Sequence, residues 1–453
     1  MVVLQNLART IDVGSSSYLL DIGNTRVVLD AGMHPKLEGP GSLPDFDALR
    51  EGSVDAVCVT HAHLDHIGAF PVLCRRQRNA QICMTEETMA LGGAMLHNSV
   101  NVMTSKRDEL NEPSYPLFGH KELDEIFQKL TPAPIGRRFR LGDTGEVRCT
   151  LHPAGHILGA VSTELEWEGG NLLYTGDVHF EEQSIVGAAQ LPCKHFDTLI
   201  VETTRGDYER HPDYTRQAEM ERLGTAIRDT LKAGGTVLIP VFAMGKTQEL
   251  LVMLRDLRDA GLIPRVPVHI GGLSTKMTTI YDRFADRSHR LNSGLQLLRD
   301  LDFVSPAAGR RSGEIHFEPG RIYALSSGMM TEHTVSYRFA RNILAEKKNA
   351  LLFVGYADPE SPAGKIQRTP RGGTVELARG NVQTLHCRVE TYDFSGHAPR
   401  EHLLEYIREV SPKTAFLVHG DLPARHWFAG QLAESHPEMN VIIPEPGEAY
   451  VVE

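Results

Sequence analysis

The segment His61-Ala62-His63-Leu64-Asp65-His66 constrains this chain more than any other part of its sequence. Three imidazoles and one carboxylate lie within six residues, directly after the apolar residues 54–60. Because His61 and His63 are two positions apart, both side chains leave the same face of an extended segment and can bind one metal ion. Asp65 and His66 follow where the chain turns and can reach a second ion. An ordinary polar turn seldom holds so many ligands, so the segment predicts half of a two-metal hydrolytic site.

Two metal ions need more ligands than this segment supplies, and three further candidates follow later apolar strands. They are His156 after residues 147–151, Asp177 after residues 172–174, and His419 after residues 414–418. Glycines on both sides of His156 let the backbone turn sharply and aim the imidazole inward. The two carboxylate oxygens of Asp177 suit a bridge between paired ions. Seven candidate metal ligands therefore lie at the ends of predicted strands.

These motifs resemble those of the metallo-β-lactamase superfamily. The resemblance is closest to its β-CASP nucleases, the group of ribonuclease J and of the endonuclease subunit of the cleavage and polyadenylation machinery. The motifs shared with the whole superfamily are Asp30, His61 to His66, His156 and Asp177, and those peculiar to β-CASP proteins are Glu202, His397 and His419. Asp30 resembles an aspartate that supports the ligand loop from behind.

The resemblance implies which residues hold which ion. His61, His63 and His156 would hold one Zn²⁺, while Asp65, His66 and His419 would hold the other and Asp177 would bridge the two. A hydroxide shared by the ions would attack phosphorus, because two cations lower the pKa of bound water and stabilise the attacking and leaving oxygens. Mn²⁺ is the alternative to zinc, since mixed imidazole and carboxylate ligands accept both ions.

The catalytic residues that the resemblance implies are Asp65, Glu202 and His397. Glu202 and His397 resemble a pair that protonates the leaving ribose oxygen. An alkoxide is a poor leaving group, and a histidine held by a carboxylate stays protonated more readily near neutral pH. His419 favours RNA as the substrate, because β-CASP proteins that act on DNA typically have an apolar residue at this last motif.

Two segments in the middle of the chain resemble substrate-binding segments of β-CASP proteins. Lys246 stands where an arginine is usual and would face the substrate; an ATP-binding loop is disfavoured because Pro240 stands where that motif needs glycine. Ser326, Ser327 and Gly328 resemble a loop whose hydroxyl and backbone N–H groups bind the phosphates of the substrate. An ordinary turn between a strand and a helix is an equal alternative for this loop.

The alternation of strands and helices predicts an α/β protein, a metallo-β-lactamase αββα sandwich with an inserted α/β β-CASP domain. Residues 1–205 would form the first part of the sandwich, 206–385 the β-CASP domain and 386–453 the second part. We expect the insertion to cover the metal ions. The local predictions include a hairpin at residues 23–25, helices at 67–78 and 400–410, strands at 237–240, 266–270, 322–325 and 351–355, and helices at 248–260 and 276–284.

Composition limits the location of the protein and the kind of partner. No apolar run approaches the length of a membrane span, and the N-terminus lacks the apolar core of a secretory signal, so we expect a cytoplasmic protein. Six scattered cysteines indicate reduced thiols rather than disulfides. Since the net charge is −11, the chain should not coat RNA broadly, and a short single-stranded stretch at the metal ions is the expected substrate.

We therefore predict a zinc-dependent phosphodiesterase that cleaves single-stranded RNA as an endonuclease, a 5′–3′ exonuclease or both. Its expected protein partner is a second copy of the chain or an RNA-processing protein. We expect no association with a membrane. Two alternatives stay open. A small-molecule hydrolase of lactones or thioesters needs the metals but not Glu202 and His397 together. A catalytically inactive subunit of an RNA-processing complex usually has an eroded set of ligands, whereas every ligand is present here.

Overall fold

The computed structural model describes residues 2–288, 290–306 and 315–452. Its internal contacts divide the chain into two compact units. Unit 1 comprises Met1–Glu182, Ala188–Arg210 and His397–Glu453, and unit 2 comprises Gln183–Gly187 and His211–Gly396. Unit 1 is thus built from sequence on both sides of unit 2. Strands and helices are numbered below in chain order.

The first sheet of unit 1 contains β1 (Val2–Asn6), β2 (Tyr18–Ile22), β3 (Thr25–Leu29), β4 (Ala56–Cys58), β5 (Gln81–Cys83) and β21 (Ala449–Val452). Their order across the sheet is β21-β1-β2-β3-β4-β5. Strands β2 and β3 are antiparallel, and the turn between them uses Gly23 at a φ of +64°. The hairpin predicted at residues 23–25 is confirmed.

The second sheet of unit 1 contains β6 (Phe139–Leu141), β7 (Val147–Pro153), β8 (Val161–Trp167), β9 (Gly170–Tyr174), β10 (Thr198–Glu202), β19 (Thr414–Val418) and β20 (Asn440–Ile442). Their order is β20-β19-β10-β9-β8-β7-β6. Strands β9, β10 and β19 are neighbours and run parallel. Their carboxyl ends therefore lie at one edge of the sheet.

Helices cover the outer faces of both sheets. They are α1 (Leu64–Ile67), α2 (Phe70–Arg76), α3 (Glu86–Glu109), α4 (His120–Phe127), α11 (Arg400–Val410) and α12 (Leu422–Ser435), with short 3-10 helices at Gly39–Ser42 and Phe46–Ala48. Val27 and Leu29 pack against the second sheet, while Val28 packs in the core that contains residues of α2 and α3. This alternation buries both faces of β3 and builds four layers, so the predicted αββα sandwich is confirmed.

Unit 2 has a parallel sheet of β11 (Val237–Pro240), β12 (Val268–Ile270), β13 (Val304–Pro306), β14 (Ile322–Leu325), β15 (Ala350–Phe353) and β18 (Arg388–Thr391) in the order β13-β12-β14-β11-β15-β18. A hairpin of β16 (Thr374–Ala378) and β17 (Asn381–Thr384) accompanies it. The helices are α5 (Arg216–Lys232), α6 (Lys246–Asp259), α7 (Gly272–Arg283), α8 (Leu297–Asp300), α9 (Val335–Leu344) and α10 (Pro362–Arg368). The predicted α/β insertion is confirmed. Within the described residues, no helix has the length and apolar character that crossing a membrane requires.

Candidate metal centre

The seven predicted metal ligands meet at one edge of unit 1. The chain leaves β4 into the segment that carries His61 to His66, and it leaves β7 into the loop that carries His156. Asp177 and His419 follow the carboxyl ends of β9 and β19, which belong to the parallel part of the second sheet. Because parallel strands end at the same edge, residues far apart in sequence converge here.

The first group of ligand atoms has the dimensions of a tetrahedral metal site. Nδ1 of His63 lies 3.2 Å from Nε2 of His61 and 3.1 Å from Nε2 of His156. Oδ2 of Asp177 lies 3.4 Å and 3.6 Å from the same two Nε2 atoms. A tetrahedral zinc ion with ligands at its usual bond length places those ligands about 3.3 Å apart. The four atoms therefore fit one divalent ion.

The second group uses the other oxygen of Asp177. Oδ1 of Asp177 lies 3.3 Å from Nε2 of His66 and 3.3 Å from Nδ1 of His419. Oδ2 of Asp65 lies 3.2 Å from Nε2 of His419. Since Oδ1 faces this group and Oδ2 faces the first, Asp177 has the geometry of a carboxylate that bridges two cations.

The titration states of five of the seven candidate ligands suit cation binding, whereas the Asp177 and Asp30 carboxylates raise the pKa of His66 against burial, so that an ion there would displace a proton. Burial is the main cause that lowers the pKa of His61, His63 and His156, and it brings the pKa of His63 to about 3. Against burial, neighbouring imidazoles hold the pKa of Asp65 and of Asp177 below its ordinary value. The three imidazoles are therefore neutral and the two carboxylates ionised near pH 7, the forms in which these side chains bind metals.

Two orphaned atoms support the same conclusion. Nε2 of His66 and Oδ1 of Asp177 are buried and have no hydrogen-bond partner among the described residues. Buried polar atoms in proteins are normally hydrogen-bonded, and an exception calls for another interaction. A cation bound by both atoms would supply it, so the donor set fits a divalent metal.

Asp30 belongs to neither group of ligand atoms but supports them through hydrogen bonds. Its Oδ2 lies 2.7 Å from Nδ1 of His66 and accepts a hydrogen bond of 2.7 Å from the hydroxyl of Tyr174. Its Oδ1 accepts a 2.7 Å hydrogen bond from the backbone N–H of Thr60, next to His61. With Asp30 as acceptor, the proton of His66 stays on Nδ1 and leaves Nε2 available for a metal ion.

Two threonines fix the turn that carries His419. His419 has a φ of +47°, in the left-handed region that non-glycine residues seldom adopt. Its carbonyl oxygen accepts hydrogen bonds from the backbone N–H of Thr203 at 3.2 Å and the hydroxyl of Thr204 at 3.0 Å. A Cβ atom on Gly420 would collide with Thr203, so this close approach requires glycine.

Glu202 and His397 lie beside the first group as an acid–base pair. Glu202 is buried at the end of β10, and its Oε1 accepts a 2.8 Å hydrogen bond from the N–H of Val178. Its Oε2 lies 3.0 Å from Nδ1 of His397, whose Nε2 lies 4.0 Å from Oδ2 of Asp177. Although burial alone would lower it, the Glu202 and Asp177 carboxylates raise the pKa of His397.

The residues predicted to bind substrate belong to unit 2. Lys246 is the first residue of α6, and its Nζ lies 3.5 Å from Oε1 of Gln183. Ser326, Ser327 and Gly328 follow the carboxyl end of β14, and a Cβ atom at Gly328 would press on the ring of Phe242. Their role in substrate binding stays a prediction.

Sequence analysis did not identify four residues that support the candidate site through hydrogen bonds: Thr60, Tyr174, Thr203 and Thr204. They bind through hydroxyl or backbone groups to the Asp30 carboxylate or to the His419 carbonyl. Each lies within three residues of a predicted ligand or catalytic residue, and this closeness in sequence is the one signal that could have identified them. Which polar neighbour of a ligand supports it depends on contacts between strands that sequence spacing does not reveal.

Three segments match known protein families. Residues 10–228 match the metallo-beta-lactamase superfamily, residues 247–366 match the Beta-Casp domain, and residues 383–444 match the Zn-dependent metallo-hydrolase RNA specificity domain. A crystal structure of a protein of unknown function from Enterococcus faecalis V583 has a similar fold, with a TM-score of 0.60, 14% identity and 99% coverage of both chains.

Curated relatives include three proteins named for transcription termination or RNA cleavage. The chain is 29% identical to transcription termination factor FttA of Methanocaldococcus jannaschii, over 90% of this chain and 65% of that protein. It is 28% identical to cleavage and polyadenylation specificity factor subunit 3 of Dictyostelium discoideum, over 98% of this chain and 56% of that protein. It is 26% identical to endoribonuclease YSH1 of Candida glabrata, over 90% of this chain and 53% of that protein. The chain thus spans between half and two thirds of the length of these relatives.

Proposed function

We propose, from the premise that this chain belongs to the metallo-β-lactamase superfamily and its β-CASP group, that it hydrolyses phosphodiester bonds of single-stranded RNA with two divalent ions. The observation that carries the proposal is the arrangement around Asp177, whose two oxygens face two separate groups of ligands while Nε2 of His397 lies 4.0 Å from one of them. Such an arrangement supports a role for His397 as a proton donor beside two bound cations.

The bound cations would supply Lewis-acid chemistry, polarising the phosphoryl oxygens and making water a stronger nucleophile. The chain's own residues would do the rest. His61, His63, His156 and Asp177 would hold one ion, and Asp65, His66, His419 and Asp177 would hold the other. His397, oriented through Nδ1 by Glu202, would give the proton on Nε2 to the leaving ribose oxygen. The raised pKa of His397 supports this role, because it favours the protonated imidazole.

RNA is the proposed substrate because three similarities support it. Residues 383–444 match an RNA specificity domain, one relative is named an endoribonuclease, and another is named for cleavage and polyadenylation. The second of these relatives is named as a subunit, which supports assembly of this chain with an RNA-processing partner. Zinc is the proposed metal, since the first group combines three imidazoles and a carboxylate at tetrahedral spacing.

The test is hydrolysis by purified protein that has been stripped with a chelator and reloaded with Zn²⁺ or Mn²⁺. The substrates are single-stranded RNA, DNA of the same sequence, duplex RNA, a simple lactone and a thioester. We expect cleavage of single-stranded RNA that returns with added metal and is lost in His61→Ala. His426→Ala is the matched control, because His426 is an exposed histidine of unit 1. Turnover of the lactone or thioester without RNA cleavage would overturn the proposed substrate.

A further inference from the structure

Arg425 is a buried cation without an ionic partner. It lies in the first turns of α12 and is only 3% exposed. It makes no direct ion pair with any described residue, although the more distant carboxylates of Asp421, Asp12 and Glu445 partly offset the burial that lowers its pKa. Removing a guanidinium from water without a carboxylate is costly, and an apolar side chain would fill the same space at lower cost. The position therefore calls for a role beyond packing.

The hydrogen bond of this side chain indicates that role. Nε of Arg425 donates a 2.7 Å hydrogen bond to the carbonyl oxygen of Gly420, the residue that follows His419. Thr203 and Thr204 hold the preceding carbonyl, that of His419, from the end of β10. The peptide groups on both sides of Gly420 are therefore hydrogen-bonded, one to the threonines that follow β10 and the other to Arg425 of α12. This double hold opposes relaxation of the left-handed backbone at His419.

Charge and hydrogen bonding predict opposite effects of Arg425 on metal affinity. A positive charge near a cation site repels the cation, so an electrostatic role would make binding tighter when the charge is removed. A hydrogen bond that orients His419 would make binding weaker when the donor is removed. The two explanations can be separated by experiment.

We infer that Arg425 is a positioning residue that sets the direction of the His419 imidazole by holding the Gly420 carbonyl. The inference rests on the proposed role of His419 as a metal ligand. It adds a residue outside every matched motif of the sequence analysis, on the helix that follows the last ligand. It also explains why a cation is retained close to a site for cations.

Arg425→Met and Arg425→Gln form the decisive pair. Both remove the charge and both have side chains of similar length, but the amide nitrogen of glutamine occupies the position along the side chain of Nε in arginine and can donate to Gly420. We expect Arg425→Met to bind one of two zinc ions about 10- to 100-fold more weakly, the usual effect of losing a residue that orients a ligand. Arg425→Gln should restore most of that affinity. Arg408→Met, on the exposed side of α11, is the control and should bind both ions like the parent.

The measurement is zinc affinity by competition with a chromophoric chelator, together with unfolding temperature in excess chelator. The unfolding temperature in excess chelator separates loss of the fold from loss of a ligand. If Arg425→Met does not fold, Arg425→Leu takes its place. Parent or tighter affinity in the apolar variant would overturn the inference, as would equal affinity of the Gln and Met variants.

A double-mutant cycle with His419→Ala shows whether Arg425 acts through His419. If it does, Arg425→Met causes no further loss of affinity once His419 is absent. The same loss in both backgrounds would refute the inference. Retention of both ions by His419→Ala would instead refute the ligand assignment on which the proposed function depends, so the two failures are distinguishable.

Discussion

Asp30→Asn should damage both the fold and the metal centre, because an amide cannot accept the hydrogen bonds that the carboxylate accepts. The oxygens of Asp30 accept hydrogen bonds from the backbone N–H of Thr60, from Nδ1 of His66 and from the hydroxyl of Tyr174, each with a donor–acceptor distance of 2.7 Å. Asparagine has one such oxygen, and the Thr60 N–H needs it. The amide NH₂ then faces His66 and Tyr174. Asp30 has a φ of +59°, which asparagine tolerates, so the backbone itself should not be strained.

The magnitude follows from counting donors without an acceptor. Asp30 and His66 are fully buried, so water cannot replace the lost carboxylate oxygen. A buried donor without an acceptor costs about 1–3 kcal/mol, and two such donors would lower the free energy of unfolding of the metal-free protein by about 2–6 kcal/mol. His66 can escape this cost by moving its proton from Nδ1 to Nε2. That move removes the electron pair that would bind the ion, and metal affinity should then fall about 10- to 100-fold.

The assay is denaturant unfolding of parent and Asp30→Asn in excess chelator, followed by zinc affinity measured by competition. Asp143→Asn is the control, because Asp143 is an exposed aspartate in the turn between β6 and β7. A free energy of unfolding within about 0.5 kcal/mol of the parent, with unchanged zinc affinity, would refute this account of Asp30.

Other predictions concern the acid–base pair and the turn after β19. His397→Ala should keep both ions but cleave RNA about 10² to 10⁴ times more slowly, measured in single-turnover reactions; an unchanged rate would remove His397 from the mechanism. In Glu202→Gln the pKa of His397 should be less raised, so the rate should begin to fall with rising pH at a lower pH than in the parent. Coincident pH profiles would contradict that assignment. Gly420→Ala should lose about 1–3 kcal/mol of stability, because its Cβ collides with Thr203, and denaturant unfolding measures this.

The convergence of the candidate ligands could be predicted from the sequence because they follow strand ends, while their assignment as metal ligands stays a prediction. Asp177 and His419 follow the carboxyl ends of β9 and β19, which run parallel to β10 in the second sheet, and His61 follows the end of β4 in the first sheet. Alternating or continuous apolar runs mark such strands, and the carboxyl ends of parallel strands meet at one edge. Convergence of the ligands therefore required no knowledge of individual contacts.

The long helix α3 was missing from the sequence analysis for a physical reason. Its residues 92 and 93 are both glycine, which weakens the helical pattern. Gly92 is needed there because a Cβ would press on the side chain of Ile67. Tertiary packing thus overrides local preference, and a single sequence does not show the neighbour that demands the glycine.

Strand β1 was missed because its partners are distant in sequence. β1 pairs with β2, but it also pairs with β21 near the other end of the chain, with Val2 opposite Val452. The contact of Thr204 with the His419 carbonyl is equally non-local, since 215 positions separate the two residues. Arg425 lies only five positions after Gly420, but sequence spacing alone does not show that its side chain turns back to the Gly420 carbonyl. Local patterns identify the groups that do chemistry, whereas the groups that hold them in place are set by the assembled sheets.

The separation of Asp65 and His419 by 354 positions has a consequence for synthesis of the protein in the cell. A ribosome makes the chain from its N-terminus, so the nascent polypeptide carries His61 to His66 long before the last ligand emerges. Any product that stops short of residue 419 lacks one of the side chains of the second group of candidate ligands. The candidate metal centre can therefore be completed only after more than nine tenths of the polypeptide has been synthesised.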